Sequence, residues 1–312
     1  MEIIHGIENI RRTFRKPVIT IGNFDGVHLG HMSLFQHVRE IARTSGSESM
    51  VITFDPHPIK VLSTTNGPPL ITLLEQKVQL IEEAGIDVLL VVHFTLEFAQ
   101  MEATEFIERF IHNKIGASAI VVGPDYRFGR NRQGDIPLLV AMGEKLNFQV
   151  HVAPDFFIEG QEVSSSAIRK FVTAGDLHKA RQMLGRDYQV CGMVIKGRDR
   201  GGRLLGFPTA NLLLIDELTP KPGVYATQVV VRGKTYAGAT NVGYNPTFQD
   251  GSFSVETHIL DFNENIYGET IQIRFVERLR DEKAFSGPEE LAEQIQRDVQ
   301  QARQILAQRR AE

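Results

Sequence analysis

One cysteine, Cys191, is all the thiol this chain carries in 312 residues. No internal disulfide can form, which fits a reducing compartment. Long apolar runs are missing as well, since none reaches the about 18–20 residues that a membrane span needs. The opening Met1-Glu2-Ile3-Ile4-His5 has neither the basic region nor the apolar core of a secretory signal. Neither sign of charge is in excess: 34 Lys and Arg stand against 38 Asp and Glu, for a formal net charge of −4. Such a balance gives no global pull towards nucleic acid or an anionic bilayer, and no basic stripe with interleaved aromatics stands out. Internal repeats, low-complexity stretches and long linkers are absent too. With 42% hydrophobic and 23% charged residues the composition is that of a globular protein. At roughly 100–200 residues per domain, the length suggests two cores. The expectation is a soluble cytoplasmic protein, mainly monomeric or weakly self-associating, that meets small molecules rather than nucleic acid or membrane.

The first half alternates β-branched runs with helical patterns. Strands are expected at Pro17 to Gly22, Met50 to Phe54, Asp87 to Val92, Ala119 to Gly123 and Phe148 to Val152. Runs apolar on both faces suit a parallel sheet. Between them, Leu34, Phe35, Val38, Ile41 and Ala42 mark one helix, and Glu75 to Ala84 and Ala103 to Ile111 two more. This order argues a doubly wound α/β domain. Two closing helices, Ser165 to Phe171 and Asp176 to Leu184, precede a boundary at Gly185-Arg186-Asp187, which divides the chain into 1–185 and 186–312. Beyond it the pattern is β-rich: Tyr188 to Ile195, Gly223 to Val231, Thr235 to Thr240, Ser254 to Leu260 and Thr270 to Phe275. Short strands separated by Gly and Pro suggest a small antiparallel barrel. A terminal helix carries the apolar stripe Leu291, Ile295, Val299, Ala302 and Leu306.

Two stretches carry chemistry. Gly22-Asn23-Phe24-Asp25-Gly26-Val27-His28-Leu29-Gly30-His31 leaves the first long strand and opens a helix. Its glycines allow a sharp turn and close approach to a ligand, and a helix N-terminus suits phosphate. His28 and His31 can donate to phosphate oxygens. Neither the dinucleotide fingerprint nor the Walker A loop fits, and a zinc site lacks an evident third ligand. Spacing alone leaves open a bare turn with two exposed histidines. The second stretch, Gly197-Arg198-Asp199-Arg200-Gly201-Gly202-Arg203-Leu204-Leu205-Gly206, is a basic glycine loop that runs into Phe207-Pro208-Thr209-Ala210-Asn211. Free N–H groups and arginine can cradle phosphate. Thr209 and Asn211 alternate onto one side and are hard oxygen donors suited to Mg²⁺ held between phosphates. A basic surface hairpin would look the same.

The first stretch resembles the signature of the HxGH nucleotidylyltransferase superfamily, and its full length resembles the adenylyltransferase module of bacterial bifunctional riboflavin kinase/FAD synthetases. Three further segments are similar to that family in the same order: Phe54-Asp55-Pro56-His57-Pro58, Gly123-Pro124-Asp125-Tyr126-Arg127-Phe128-Gly129 with Gly134-Asp135, and Val163-Ser164-Ser165-Ser166-Ala167-Ile168-Arg169. Ser166 stands where the family has Thr, which keeps the hydroxyl. In the second half Gly206-Phe207-Pro208-Thr209-Ala210-Asn211-Leu212, Asn241 to Phe248, Val255 to Phe262, and Arg278-Leu279-Arg280 resemble riboflavin kinase. The glycine loop is one residue longer than the family pattern, which leaves open which of Gly201, Gly202 and Arg203 meets phosphate.

The resemblance implies an α/β Rossmann-like nucleotidylyltransferase domain followed by a small antiparallel β-barrel kinase domain with a C-terminal helix. It implies that the barrel phosphorylates riboflavin to FMN, with Glu256 as base and Mg²⁺ on Thr209 and Asn211. It further implies that the α/β domain adenylylates FMN to FAD with His28, His31 and Arg169 stabilising charge. ATP or phosphate contacts are implied at Gly22, Asn23, Asp25, Gly30, Ser164, Ser165, Arg169, Gly197, Arg203 and Gly206. Flavin contacts are implied at Asp55, Pro56, His57, Pro58, Asp125, Phe128 and Arg280. ATP is then a co-substrate, and flavin is substrate and product. Two rivals make other demands. A moonlighting RNA binder needs the basic stripe that is missing. An inactive flavin carrier predicts loss of His28, Glu256 or Thr209, and all three are present.

Overall fold

The computed structural model describes residues 1–65, 67–196, 206–244 and 253–309. The chain folds into two compact units, Met1–Ser165 and Ser166–Glu312.

The first unit is built on a six-stranded sheet. Its strands are β1 (Glu2–His5), β2 (Val18–Ile21), β3 (Ser49–Asp55), β4 (Val88–His93), β5 (Ala119–Val122) and β6 (Gln149–Val152), in the order β1-β4-β3-β2-β5-β6. Every pairing is parallel. All four residues of β2 are buried, as expected of a strand covered on both faces. Ile19, Ile21, Met50, Ile52, Leu90 and Ile120 feed one core layer, together with Phe106, Phe110 and Phe128. Val51, Leu89 and Val91 face the other way, onto Phe35 and Ile81. Those two side chains belong to the helices α1 (Leu29–Ser45) and α3 (Leu74–Glu83); a short α2 (Pro58–Leu62) lies between. Phe35 is fully buried, and its truncation to Ala would cost about 3–5 kcal/mol. Chain order runs from β2 through β3 to β4 on one side and resumes with β5 and β6 on the other. The reversal makes the carboxyl ends of β2 and β5 the switch point where open α/β sheets bind ligands.

Three features differ from the sequence expectation. The edge strand β1 has a buried Ile4 but otherwise exposed residues, too weak a pattern to stand out. After a short α4 (Leu96–Ala99), the helix foreseen from Ala103 to Ile111 begins as α5 (Ala103–Glu105) and widens into a π-helix over Phe106–Ile115. It stops at Gly116, which is left-handed. A further helix, α6 (Ile136–Leu146), is capped by Asp135, whose Oδ1 accepts the Leu138 N–H at 3.0 Å. A small hairpin, β7 (Phe157–Ile158) and β8 (Gln161–Glu162), follows.

The second unit begins with α7 (Ser165–Ala174, all but its first residue) and α8 (Leu177–Leu184). These are the two helices that periodicity gave to the first half. Here the Lys221 N–H donates to the Val172 carbonyl, and a side chain at Gly175 would strike Arg278 and Lys221. Six strands close a barrel in the order β10-β13-β12-β11-β14-β9. They are β9 (Tyr188–Ile195), β10 (Ala210–Leu213), β11 (Gly223–Val231), β12 (Lys234–Gly243), β13 (Ser254–Ile259) and β14 (Thr270–Arg280). All pairings are antiparallel. Tyr188, Tyr225 and Phe275 fill the interior. Thr227, Thr240 and Thr257 are all fully buried there, and the Thr240 Oγ1 lies 2.8 Å from that of Thr227 and 2.8 Å from that of Thr257. The small residues Ala226, Ala237 and Ala239 face outward and let the terminal helix α9 (Pro288–Arg309) seat Ala302 and Leu306 against them.

Candidate active sites

The first site is assembled at the carboxyl edge of three adjacent strands. The loops after β2, β3 and β5 are the stretches 22–28, 55–58 and 123–129 singled out in the sequence. His28 is the N-cap of α1, and its Nδ1 accepts the His31 N–H at 3.3 Å. In the neutral ring the proton therefore sits on Nε2, a donor. The two imidazoles stack with centroids 3.5 Å apart and planes inclined 19°, and Phe24 meets His31 edge-on at 5.1 Å. A side chain at Gly30 would press on the His28 ring at 3.2 Å, so glycine is what lets the ring lie there. Pairing of the rings, their place over a helix N-terminus and the switch-point position together suit an anionic phosphate chain.

The loop between β2 and α1 is unusually bent. Phe24, Gly26 and Val27 have φ of 46°, 91° and 37°, and non-glycine residues hold such values only when their surroundings over-determine them. Asp25, 4% exposed, accepts the N–H groups of Ile71 and Thr72 at 3.0 and 3.1 Å. Thr72 Oγ1 accepts the Gly26 N–H, and Ser165 donates to the Asp25 carbonyl at 2.7 Å. Asp25 thus braces the loop, whereas Asn23 is exposed and Gly22 and Gly30 half-buried. Ser164 is half-buried too, as is Arg169 on α7, a residue of the second unit.

Among the residues expected to meet flavin, Asp55 and Asp125 are exposed while Pro56, His57 and Pro58 are half-buried. His57 caps α2 by accepting the Ile59 N–H at 3.1 Å. Phe128 is 7% exposed and lies in the core against Phe106 and Tyr126, so it supports this loop from beneath. Burial pushes the Tyr126 phenol far above its ordinary range.

The barrel site is a row across strands. Asn211 is the register partner of Glu256, and Glu256 in turn of Asn241. The three half-buried side chains therefore share one barrel face, while their neighbours Ala210, Thr257 and Thr240 point inward. The Ser254 hydroxyl donates to Glu256 Oε1 at 3.1 Å. Thr209 is half-buried two residues before Asn211. Other carboxylates of this unit are engaged in ion pairs: Glu264 and Glu269 flank Arg232, and Asp261 is chelated by Arg303 at 2.6 and 3.0 Å. Their arginine partners hold Glu269 and Asp261 below the usual carboxylate range. Arg280 directs Nε and Nη2 to Asp298, itself 4% exposed, and Nη1 to the Asp281 carbonyl. Its guanidinium is thus engaged in tying α9 to β14. Gly206 is exposed and left-handed; Gly197 and Arg203 lie outside the described residues.

Sequence reasoning missed Lys77, which is 5% exposed and donates to the Asn23 carbonyl at 2.7 Å. A signal was present: it interrupts the stripe Leu74, Val78, Ile81 on the buried side of α3.

Two family models divide the chain much as its folds do. FAD synthetase matches residues 10–167 and riboflavin kinase residues 184–306. The chain belongs to the bifunctional riboflavin kinase/FMN adenylyltransferase family. Proteins of that name from Haemophilus influenzae and Listeria monocytogenes are 35% and 36% identical to it, over 97% of this chain in each case and 98% and 96% of theirs. A solved Streptococcus pneumoniae structure, described as a macrolide-efflux protein, is similar at a TM-score of 0.85 and 30% identity, covering 97% of this chain and 99% of that one. Among the described residues here, no helix is long and apolar enough to cross a membrane.

Proposed function

We propose that this chain makes FMN from riboflavin and ATP, and then FAD from FMN and a second ATP. The observation that carries the reading is the meeting of three motif loops at the carboxyl edge of β2, β3 and β5, with the His28–His31 stack at the α1 N-terminus, in a chain whose other half matches riboflavin kinase. We assign adenylyl transfer to residues 1–185 and phosphoryl transfer to residues 186–312.

In the barrel, the ribityl 5′-hydroxyl is a weak nucleophile at neutral pH. Glu256 takes its proton as the oxygen attacks the γ-phosphorus, and ADP leaves. Thr209 and Asn211 offer a hydroxyl and a carboxamide oxygen, too few for a closed metal cage but suited to Mg²⁺ shared with ATP phosphates. The ion would offset charge on the transferring group. In the α/β unit, an oxygen of the FMN phosphate attacks the α-phosphorus of ATP and pyrophosphate leaves. The nucleophile is already ionised, so no base is required; alignment and charge stabilisation remain. The His28 Nε2–H, His31, the α1 N-terminus, Ser164 and Ser165 supply them. Asp55 to Pro58 and Asp125 border the flavin. With ATP and riboflavin as substrates, we place the protein in the cytoplasm, acting without nucleic acid.

The test is incubation of the purified chain with riboflavin, ATP and Mg²⁺, with the flavins separated by chromatography. FMN and FAD are expected in succession, and the absence of both would sink the reading.

A further inference from the structure

A cation buried in an apolar helix face is costly unless it has work to do. Lys77 occupies such a place. Its ammonium donates to the Asn23 carbonyl at 2.7 Å and to Thr53 Oγ1 at 3.4 Å, and Thr53 Oγ1 donates to the same carbonyl at 3.3 Å. Asp25, in the loop after β2, and Asp55, at the end of β3, favour its charge, but burial dominates and pulls its pKa from 10.5 down to about 8. The bent stretch from Phe24 to Val27 is fastened at Asp25 and Gly26 by Ile71, Thr72 and Ser165. Lys77 and Thr53 fasten its other end, at Asn23.

We propose that Lys77 is a positioning residue for adenylyl transfer: it fixes the Asn23 carbonyl and so the turn that presents His28 and the first N–H groups of α1 to the phosphates. The inference rests on assigning that reaction to this loop. A filler of the α3 interface would need only volume, which methionine supplies without charge. Removing the ammonium leaves the Asn23 carbonyl with Thr53 as a donor, and the Asp25 carboxylate keeps the Ile71 and Thr72 N–H groups. Function and stability should therefore part company.

The experiment compares full-length wild type, K77M and K77Q in three assays: FMN adenylylation, riboflavin phosphorylation and thermal unfolding. In K77M, adenylylation kcat should fall about 10–100-fold, with KM for FMN and ATP within about threefold of wild type. Riboflavin phosphorylation should hold, and the unfolding temperature should hold or rise. K77Q, which keeps an N–H donor, should recover part of the loss. An adenylylation kcat in K77M within about threefold of wild type would overturn the proposal. So would loss of the folded first unit in both variants, since Lys77 would then be holding the domain rather than the loop. A wild type that makes FMN but no FAD would instead remove the site assignment itself.

Discussion

Asn211 and Glu256 face each other across β10 and β13 as register partners. Directly opposed side chains in an antiparallel pair stand about 5 Å apart at Cβ. The proposed Mg²⁺ ligand and the proposed base are thus neighbours by construction, whatever the loops around them do.

Replacing Glu256 by Gln keeps the size and an acceptor for Ser254 but removes the proton acceptor. Riboflavin phosphorylation should fall about 10²–10⁴-fold, or about 3–5.5 kcal/mol of barrier. Adenylylation of supplied FMN should be almost unchanged. Phosphorylation within a few-fold of wild type would remove Glu256 from the role. Glu264 and Glu269, bound to Arg232, are poor substitutes.

His28 does two things, and they can be separated. His28→Ala should abolish FAD formation and let FMN accumulate, while also costing about 1 kcal/mol for the lost cap. His28→Asn restores a capping acceptor but not the Nε2 donor. It should regain the stability and none of the activity, as read by thermal unfolding beside flavin chromatography. Recovery of FAD synthesis in the Asn variant would mean that capping alone was required.

Much of this arrangement was legible because it rests on local rules. The buried runs at Val18 and Ala119 and the turns around Gly26 and Gly185 follow from residue type alone. Three barrel strands, β9, β11 and β13, lie within a residue of where alternation puts them. What escaped depends on distant partners. β10 is four residues long and is a strand because β9 and β13 flank it. The contacts of α7 and of Gly175 after it with Lys221 and Arg278 involve residues well along the chain. The bracing role of Asp25 depends on Ile71 and Thr72, 46 and 47 residues away, and the pairing of Arg280 on Asp298 of α9.

The allegiance of α7 and α8 can be tested by truncation. A fragment of residues 166–312 should fold and phosphorylate riboflavin without making FAD. One of residues 187–312 should do the same chemistry with a lower unfolding temperature. It loses α8, which packs on β9 and β14, and the bond from Lys221 to Val172. Equal unfolding temperatures for the two would show that the helices contribute nothing to the barrel.

Lys77 also predicts a pH dependence of stability whose sign is fixed by linkage. Its pKa is about 8 in the folded chain against 10.5 as the ordinary value. Between those limits the unfolded chain holds the proton that the folded chain has released, so stability rises with pH there. The cost of the buried ammonium is full below about pH 8 and gone above about 10.5, a span worth about 3 kcal/mol. K77M has no such group. Tyr126 and the remaining lysines titrate alike in both chains and cancel in the difference. Denaturant unfolding of the first unit should therefore show K77M at its greatest advantage at neutral pH, with wild type closing the gap by about 3 kcal/mol as the pH rises to about 10.5. A gap that stays constant over that range would mean that Lys77 keeps an ordinary pKa in the folded chain, and that burial imposes no charge penalty on it.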